Sequence, residues 1–417
     1  MMNYKNARKI LIRSKIKIKD EIIDSSKSLN RICATNLYST VNYPAGNNAA
    51  FDGYAINSKE TNRLNKNGIQ KFKILKTIAA GDNPKINKIK KFQTVEIMTG
   101  ALLPKFFDTI IPIEKIKFYP NTNKKYILID EKIKGNQHVR YKGSDYKKKD
   151  LIIKKGTLIQ SSHILAFKTL GIKNIKVKKK PNILFSSTGN EISNNKNIVN
   201  WKVRNSNNYY IKSLSNNFLF NFIEGKILRD GDKKIFKNLI DRSIKSKIDI
   251  IITSGAVSAG KFDFVPSVIS KFNLSNFFKN VKIRPGKPVL FAKIKNKEKA
   301  IFGLPGNPIS SAACFRFFVY PYLLNILGIK EEKAFKAKLK NDFKKKKNFT
   351  RFLKGKLTST NDGKLEIKIL QGQESFRIKS FVSSNVWGVF KSGKSDFKKG
   401  ELIECYSLNG ANFNILK

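Results

Sequence analysis

Histidine and cysteine are almost absent from this chain. His138 and His163 are the only imidazoles, and Cys33, Cys314 and Cys405 the only thiols, in 417 residues. Thiols so widely spaced make neither a disulfide framework nor a CxxC metal pair. Without such ligands a zinc or other transition-metal site built on nitrogen and sulfur is not expected, and any bound metal should be a hard cation held by carboxylates. Long apolar runs are missing too. Even CFRFFVYPYLLNIL is cut by Arg316 and Pro321, short of the roughly 20 residues a membrane helix needs. The first residues, MMNYKNARKILIRSKIKIKDE, mix Lys with Ile and lack the unbroken apolar core of a secretory signal. A soluble, cytoplasmic protein with no membrane association is expected.

Acidic side chains are scarce, 30 against 83 basic ones, for a net charge of +53. So large an excess invites a nucleic-acid reading, because basic surfaces bind phosphate backbones through counterion release. Only twelve of the 83 basic residues are Arg, however, and Lys is scattered with Asn and Ile over the whole length. A dedicated surface would concentrate Arg, aromatics and Gly in a recognisable module, and none is found. Nonspecific stickiness at low salt is expected, but no specific nucleic-acid partner. What is present is 41% hydrophobic and 11% aromatic residues, enough core for a folded chain of two to four domains.

Residues 1–47 carry Ile22, Ile23, Leu29, Ile32 and Leu37 in a spacing that predicts a helix ending near Pro44. Residues 48–134 change to short β-rich runs, KFKILKTIAAG, TVEIMTGA, DTIIPIE and KKYILID, and predict a small β domain. Residues 135–180 hold a turn, a short strand and a helix with Leu165, Phe167 and Leu170 that closes at Gly171. With 1–47 they are expected to form a discontinuous helical or linker domain. From 181 to 329 the pattern is strand, Gly-rich loop, helix, repeated in NILFSSTGNEI, IDIIITSGAVSAGKFDF and AIFGLPGNPISSAACFRFFVYPYLL. Near-continuous apolar strands of this kind belong to a mostly parallel sheet covered on both faces, a three-layer α/β domain. Ligands bind such sheets at the carboxyl ends of the strands, where these loops would gather. Residues 330–417 return to alternation, as in LEIKIL and ELIECYSL, and predict a separate C-terminal β domain.

Each loop has a chemical and a purely structural reading. In GLPGNPISS, Gly303 and Gly306 would let backbone approach a ligand, Pro308 suits a first helical turn, and Asn307, Ser310 and Ser311 offer cap and hydroxyl contacts. A phosphate is the simplest ligand for such a helix start, although a Gly-Asn-Pro turn also occurs simply as a cap. In TSGAVSAGKFDF, Gly255, Ser258 and Gly260 could wrap a ligand while Asp263 points a carboxylate into the same mouth, or Asp263 could cap a helix. In RPGKP, Arg284 and Lys287 could clamp an oxyanion, or lie in solvent like most Lys of this chain. Asp52 in AAFDGYA and Thr99 in EIMTGALLP read as turn and strand-end residues from chemistry alone.

The whole set in this order resembles a known family. FDGYA (51–55), MTGALLP (98–104), DTIIPIE (108–114), Gly-x-Asp at 143–145, TGNE (188–191), TSGAVSAGKFDF (253–264), RPGKP and GLPGNPISS are similar to molybdopterin molybdenumtransferase, the family that includes the E domain of gephyrin. The likeness runs from about residue 20 to 410. It implies four domains, among them an α/β domain of the molybdopterin-binding type and a barrel-like C-terminal domain, in an elongated homodimer whose active site joins the α/β domain of one subunit to N-terminal loops of the other. It implies adenylylated molybdopterin and molybdate as substrates, Mg²⁺-dependent cleavage of the adenylate with release of AMP, and molybdenum transfer to the pterin dithiolene. Molybdopterin adenylyltransferase and apo-molybdoenzymes are the protein partners it implies. Carried over by position, Asp52, Thr99, Asp145, Glu191, Asp230 and Asp263 match polar and acidic functional positions. Lys282, Arg284 and Lys287 match the basic cluster, and Arg351 and Ser383 the C-terminal contribution. Glu191, Asp230 and Asp263 are the expected metal and water ligands.

Several residues depart from the family pattern. Asn47 and Ala49 replace a common Asp and Ser, Phe106 and Phe107 replace small residues, Arg284 replaces a common Lys, Gly231 separates two acids, and QGQESFRIKS diverges from Gln-Gly-Ser-Gly. A noncatalytic paralogue that binds nucleotide or pterin is therefore the alternative to an insertase, with a basic nucleic-acid binder third.

Overall fold

The computed structural model describes residues 1–62, 68–217, 219–258, 260 and 263–410. The helix expected over Ile22 to Leu37 does not form. Asp20–Asp24 is a strand antiparallel to Asn174–Lys178, Cys33 bridges to Val177, and Leu37 pairs with Ile153. Adjacent β-branched Ile22 and Ile23 prefer extended backbone, and Ile22, at 71% exposure, is no core residue. The first helix, α1 (Tyr4–Arg13), comes earlier. Its cap is Asn3, whose side chain accepts the Asn6 N–H at 2.8 Å, and it buries Ala7 and Leu11 against the α/β core. Helix α2 (Ser161–Thr169) forms with Phe167 and Leu170 buried and Gly171 at φ +70°, but Leu165 faces solvent.

The β-rich runs after residue 48 assemble into a six-stranded sheet in the order 109–112, 53–56, 93–97, 70–78, 126–129, 117–119. Gly53–Ile56 is buried throughout because strands flank it on both sides, and its register sets Gly53 opposite Ile97. Asp52 and Thr99 therefore emerge from neighbouring strand ends.

A second six-stranded sheet runs 221–224, 182–187, 250–254, 300–304, 290–294, 274–279, with the first four strands parallel and the last two antiparallel. Alternate residues of each strand point to opposite faces. Ile183, Phe185, Ile250, Ile252 and Phe302 pack with α3 (Ser206–Asn217), α6 (Pro308–Cys314) and α7 (Tyr320–Ile326). Ile251, Leu290 and Ile301 pack on the other side with α4 (Lys233–Ile244) and α5 (Val265–Ile269). Between α6 and α7 the chain makes a π turn, Phe315–Val319. Pro321 has no N–H to give the Phe317 carbonyl, and the Arg8 guanidinium of α1 donates to that carbonyl at 3.0 Å instead.

The C-terminal strands 350–359, 365–369, 335–339, 402–407 and 386–390 close into a barrel, because 386–390 also pairs with 350–359. The short helix α8 (Ile378–Val382) sits outside it. A two-residue parallel ladder, Ile283 with Thr350 and Arg284 with Arg351, joins the barrel to the α/β unit. No described helix is long and apolar enough to cross a membrane.

Candidate functional site

Strands 182–187, 250–254 and 300–304 end side by side, and a loop leaves each carboxyl end. The loops are tied to one another. The Thr188 N–H donates to the Ser254 carbonyl at 2.9 Å, the Thr188 hydroxyl donates to the same carbonyl at 3.2 Å, and the Gly255 N–H donates to the Leu304 carbonyl at 2.8 Å. Gly255 has φ +106°, and a Cβ there would lie 2.5 Å from both the Thr188 carbonyl oxygen and its hydroxyl, so no side chain fits. Asn207, in the first turn of α3, closes the mouth from above: its Nδ2 donates to the Ser254 hydroxyl and to the Gly306 carbonyl, both at 2.7 Å.

Glu191 stands on the loop that Thr188 opens, and Asp230 on the adjoining loop after strand 221–224. Gly189 N–H donates to the Leu228 carbonyl at 2.9 Å. The Arg229 guanidinium donates to the carbonyls of Gly189, Asn190 and Ile192 at 3.0, 3.2 and 2.9 Å, and the Asp230 N–H donates to Asn190 Oδ1 at 3.2 Å. This stitching places an exposed Glu191 and a half-buried Asp230 along one edge of the mouth. Of the two readings of Asp263, the helix cap does not form: its Oδ2 accepts the Gly260 N–H at 2.6 Å, which ties the carboxylate to its own loop. Ser258 is exposed on that loop; Ala259, Lys261 and Phe262 lie outside the described residues. Among the described residues no three His, Cys, Asp or Glu side chains converge into a metal cage.

The stretch GLPGNPISS also needs correction in detail. Gly303 lies inside its strand, where a Cβ would sit 2.6 Å from Val257, so packing and not ligand approach requires glycine there. Pro308 does open α6, but Asn307 makes no side-chain cap and its Nδ2 donates to the Ser375 hydroxyl at 3.1 Å. Ser310 is buried, and the Ser311 hydroxyl is buried without a partner.

Beside this helix start lies the basic turn. Lys282, Arg284 and Lys287 are exposed on it. Gly286 presses against α6, where a Cβ would come 2.4 Å from Cys314 Sγ. The ladder to the barrel sets Arg284 opposite Arg351, whose Nε is buried without a partner. Burial and the neighbouring Arg284 charge lower the Arg351 pKa, against the raising effect of Glu374. Two guanidinium groups held this close favour an anion between them. Ser383 is exposed at the end of α8, its hydroxyl donating to the Lys379 carbonyl at 3.1 Å.

Asp52, Thr99 and Asp145 form a separate group on the N-terminal β unit and the loop beside it. The N–H and hydroxyl of Thr99 donate to Asp52 Oδ1 at 2.6 and 2.7 Å, and these two bonds hold the Asp52 carboxyl below its ordinary pKa. Asp145 is anchored through its N–H to the Tyr43 carbonyl at 3.1 Å. All three are exposed. Asn47 accepts the Lys142 N–H at 3.0 Å and so helps hold the 142–145 loop, while Ala49 is fully buried.

A cavity of about 550 Å³ lies elsewhere, between α1, α7 and the barrel, and contains none of these residues. Six of its seven charged side chains pair internally, Arg8 with Glu331, Arg316 with Glu332 and Lys391 with Glu404, and Lys5 is the seventh. Sequence reasoning passed over Asn207, Arg229 and Ser375. The run Asn205-Ser206-Asn207-Asn208 at a helix start was a usable signal for the first; the others have none.

Three family models match in succession: the MoeA N-terminal region (domain I and II) over residues 2–171, the probable molybdopterin binding domain over 185–325, and the MoeA C-terminal region (domain IV) over 336–408. A molybdopterin molybdenumtransferase of Staphylococcus aureus is 30% identical over 389 residues, 91% of this chain and 88% of the relative. One of Haemophilus influenzae is 29% identical over 415 residues, 98% of this chain and 99% of its own. The crystal structure of a molybdopterin biosynthesis MoeA protein from Pyrococcus horikosii superposes with a TM-score of 0.82 at 27% identity, covering 98% and 99% of the two chains.

Proposed function

The chain belongs to the molybdopterin molybdenumtransferase family, and on that premise we propose that the α/β mouth is where it works on adenylylated molybdopterin and molybdate. The chain is a transferase of molybdenum cofactor biosynthesis. The observation that carries the assignment is the tying of three strand-end loops by Thr188, Gly255, Asn207 and Gly306 next to the basic turn. Cleaving the phosphoanhydride adds water across a P–O bond and yields AMP and the pterin monophosphate, so charge on the phosphoryl oxygens must be neutralised and a water aligned. Lys282, Arg284, Lys287 and Arg351 supply the positive charge for phosphate and for the molybdate dianion. Gly255, Ser258, Gly260, Gly306 and Asn307 line the approach of the nucleotide and pterin, with Ser310 buried behind them in α6. Glu191 orients the water.

The donor set fits Mg²⁺, which takes one or two carboxylates with waters and substrate phosphate oxygens and needs no protein cage. Glu191 and Asp230 on one edge, with Asp263 from the loop after strand 250–254, would hold it. When bound, the ion supplies further neutralisation of phosphoryl charge. Asp52, Thr99 and Asp145 complete the site from the second subunit of a homodimer in the cytoplasm. The test is AMP release from adenylylated molybdopterin by the purified protein, with Mg²⁺ and molybdate each supplied or withheld, coupled to reconstitution of an apo-molybdoenzyme. Release that needs both and yields active acceptor is expected; tight binding with neither AMP nor active acceptor would leave only a noncatalytic binding protein.

A further inference from the structure

Lys354, on the barrel strand Thr350–Ser359, is 1% exposed. A lysine seldom sinks so far without a carboxylate partner. Here Nζ donates instead to three main-chain carbonyls, Gly372 at 2.7 Å, Arg377 at 3.1 Å and Glu374 at 3.3 Å. All three belong to one loop, residues 370–377. Gln373 doubles the tie: its Oε1 accepts the Lys354 N–H at 3.0 Å, and its Nε2 donates to the carbonyls of Lys354 and Leu370 at 2.9 and 2.7 Å. The far side of this loop leaves the barrel. The Ser375 hydroxyl accepts from Asn307 Nδ2 at 3.1 Å, and the Ser375 carbonyl accepts the Ile309 N–H at 3.2 Å. Burial pushes the Lys354 pKa down to about 8, against the raising effect of Glu374, so the ammonium is held there at a cost that the loop carbonyls offset.

We propose that Lys354 is a positioning residue for the transfer reaction: from the outer face of the barrel wall, where its strand partner is Trp387, it shapes the loop 370–377 that lays Ser375 on Asn307 and Ile309, and so orients the start of α6 at the substrate mouth. The inference rests on reading that mouth as the substrate site. A loop shaped in advance has less freedom to lose when substrate binds, so the contribution falls on binding more than on turnover.

The experiment compares the full-length wild type with Lys354→Met and Lys354→Arg, by NMR-detected amide hydrogen exchange and by steady-state AMP release. In Lys354→Met the Ile309 amide should exchange at least about tenfold faster while Leu353, Val389 and Phe302 keep their protection, and KM should rise about tenfold with kcat within about twofold. Lys354→Arg, which keeps a cation with donors to spare, should restore both. Unchanged exchange at Ile309 in folded Lys354→Met, or equal loss of protection at all four amides, overturns the proposal. If that variant does not fold, Gln373→Ala loosens the same loop from its second tie and carries the same expectation. A wild type that releases no AMP defeats the insertase reading alone, since exchange at Ile309 still decides the role of Lys354.

Discussion

The N-terminal β unit and the α/β unit each gather acidic and hydroxyl side chains, but they hold them differently. Asp52, Thr99 and Asp145 are exposed, and their bonds reach no farther than the adjoining strand end or loop. In the α/β unit Thr188 and Ser254 are each 2% exposed, and they sit in a lattice that Asn207, Gly255 and Arg229 carry across several loops. A mouth cross-tied in this way is organised before substrate arrives, which is the condition under which charged and polar groups act strongly. The N-terminal group is instead a rigidly presented surface with one side open, as a half-site offered to another subunit would be.

Breaking the organised half should cost most. Glu191→Gln should lower the rate of AMP release by about 100- to 1000-fold with the melting temperature unchanged, as read by a coupled assay and calorimetry. The two-subunit reading is sharpened by mixing. Asp52→Asn and Glu191→Gln proteins, each inactive alone, should regain about a quarter of wild-type activity when their subunits are exchanged, because half of the sites in the mixed dimers then carry neither change. No recovery, with subunit exchange verified by mass spectrometry, would place both residues in one subunit's site.

Backbone changes separate the lattice from its surroundings. Gly255→Ala should destabilise by about 2 kcal/mol in urea titration, since the new Cβ meets Thr188 at a positive φ. Gly231→Ala, where a Cβ meets nothing within 4 Å, should change stability by no more than about 0.5 kcal/mol. The smallest effect belongs to the open half. Asp52 is a carboxyl whose folded pKa is depressed by Thr99, so the contact is intact above the ordinary Asp range and is lost as pH falls through the folded value. Thr99→Val removes the hydroxyl bond and should move the Asp52 carboxyl titration, followed by ¹³C NMR, upward toward the ordinary range.

Much of this architecture was legible in the chain. Near-continuous apolar strands followed by Gly-rich loops read as an α/β sheet because strand and turn preferences are local, and the loops did gather at the carboxyl ends. The helix read over Ile22 to Leu37 was misleading for the complementary reason. Asp20 pairs with Lys178 and Leu37 with Ile153, and partners so far along the chain override a weak local spacing. The reading of Asp263 as a cap of α5 failed because its carboxylate takes the Gly260 N–H within the same loop.

By itself, then, the sequence determined what short-range chemistry can specify: the strand and loop rhythm, and the ordered motifs that mark the family. The tertiary structure alone decided which ordinary residues matter. Asn207 is one Asn in an Asn-rich chain until its amide meets Ser254 and Gly306, 47 and 99 residues away. Lys354 is one Lys among many until the loop 370–377 folds over it and turns three carbonyls onto its ammonium. Burial and long-range pairing, which no local pattern encodes, set the chemistry of both.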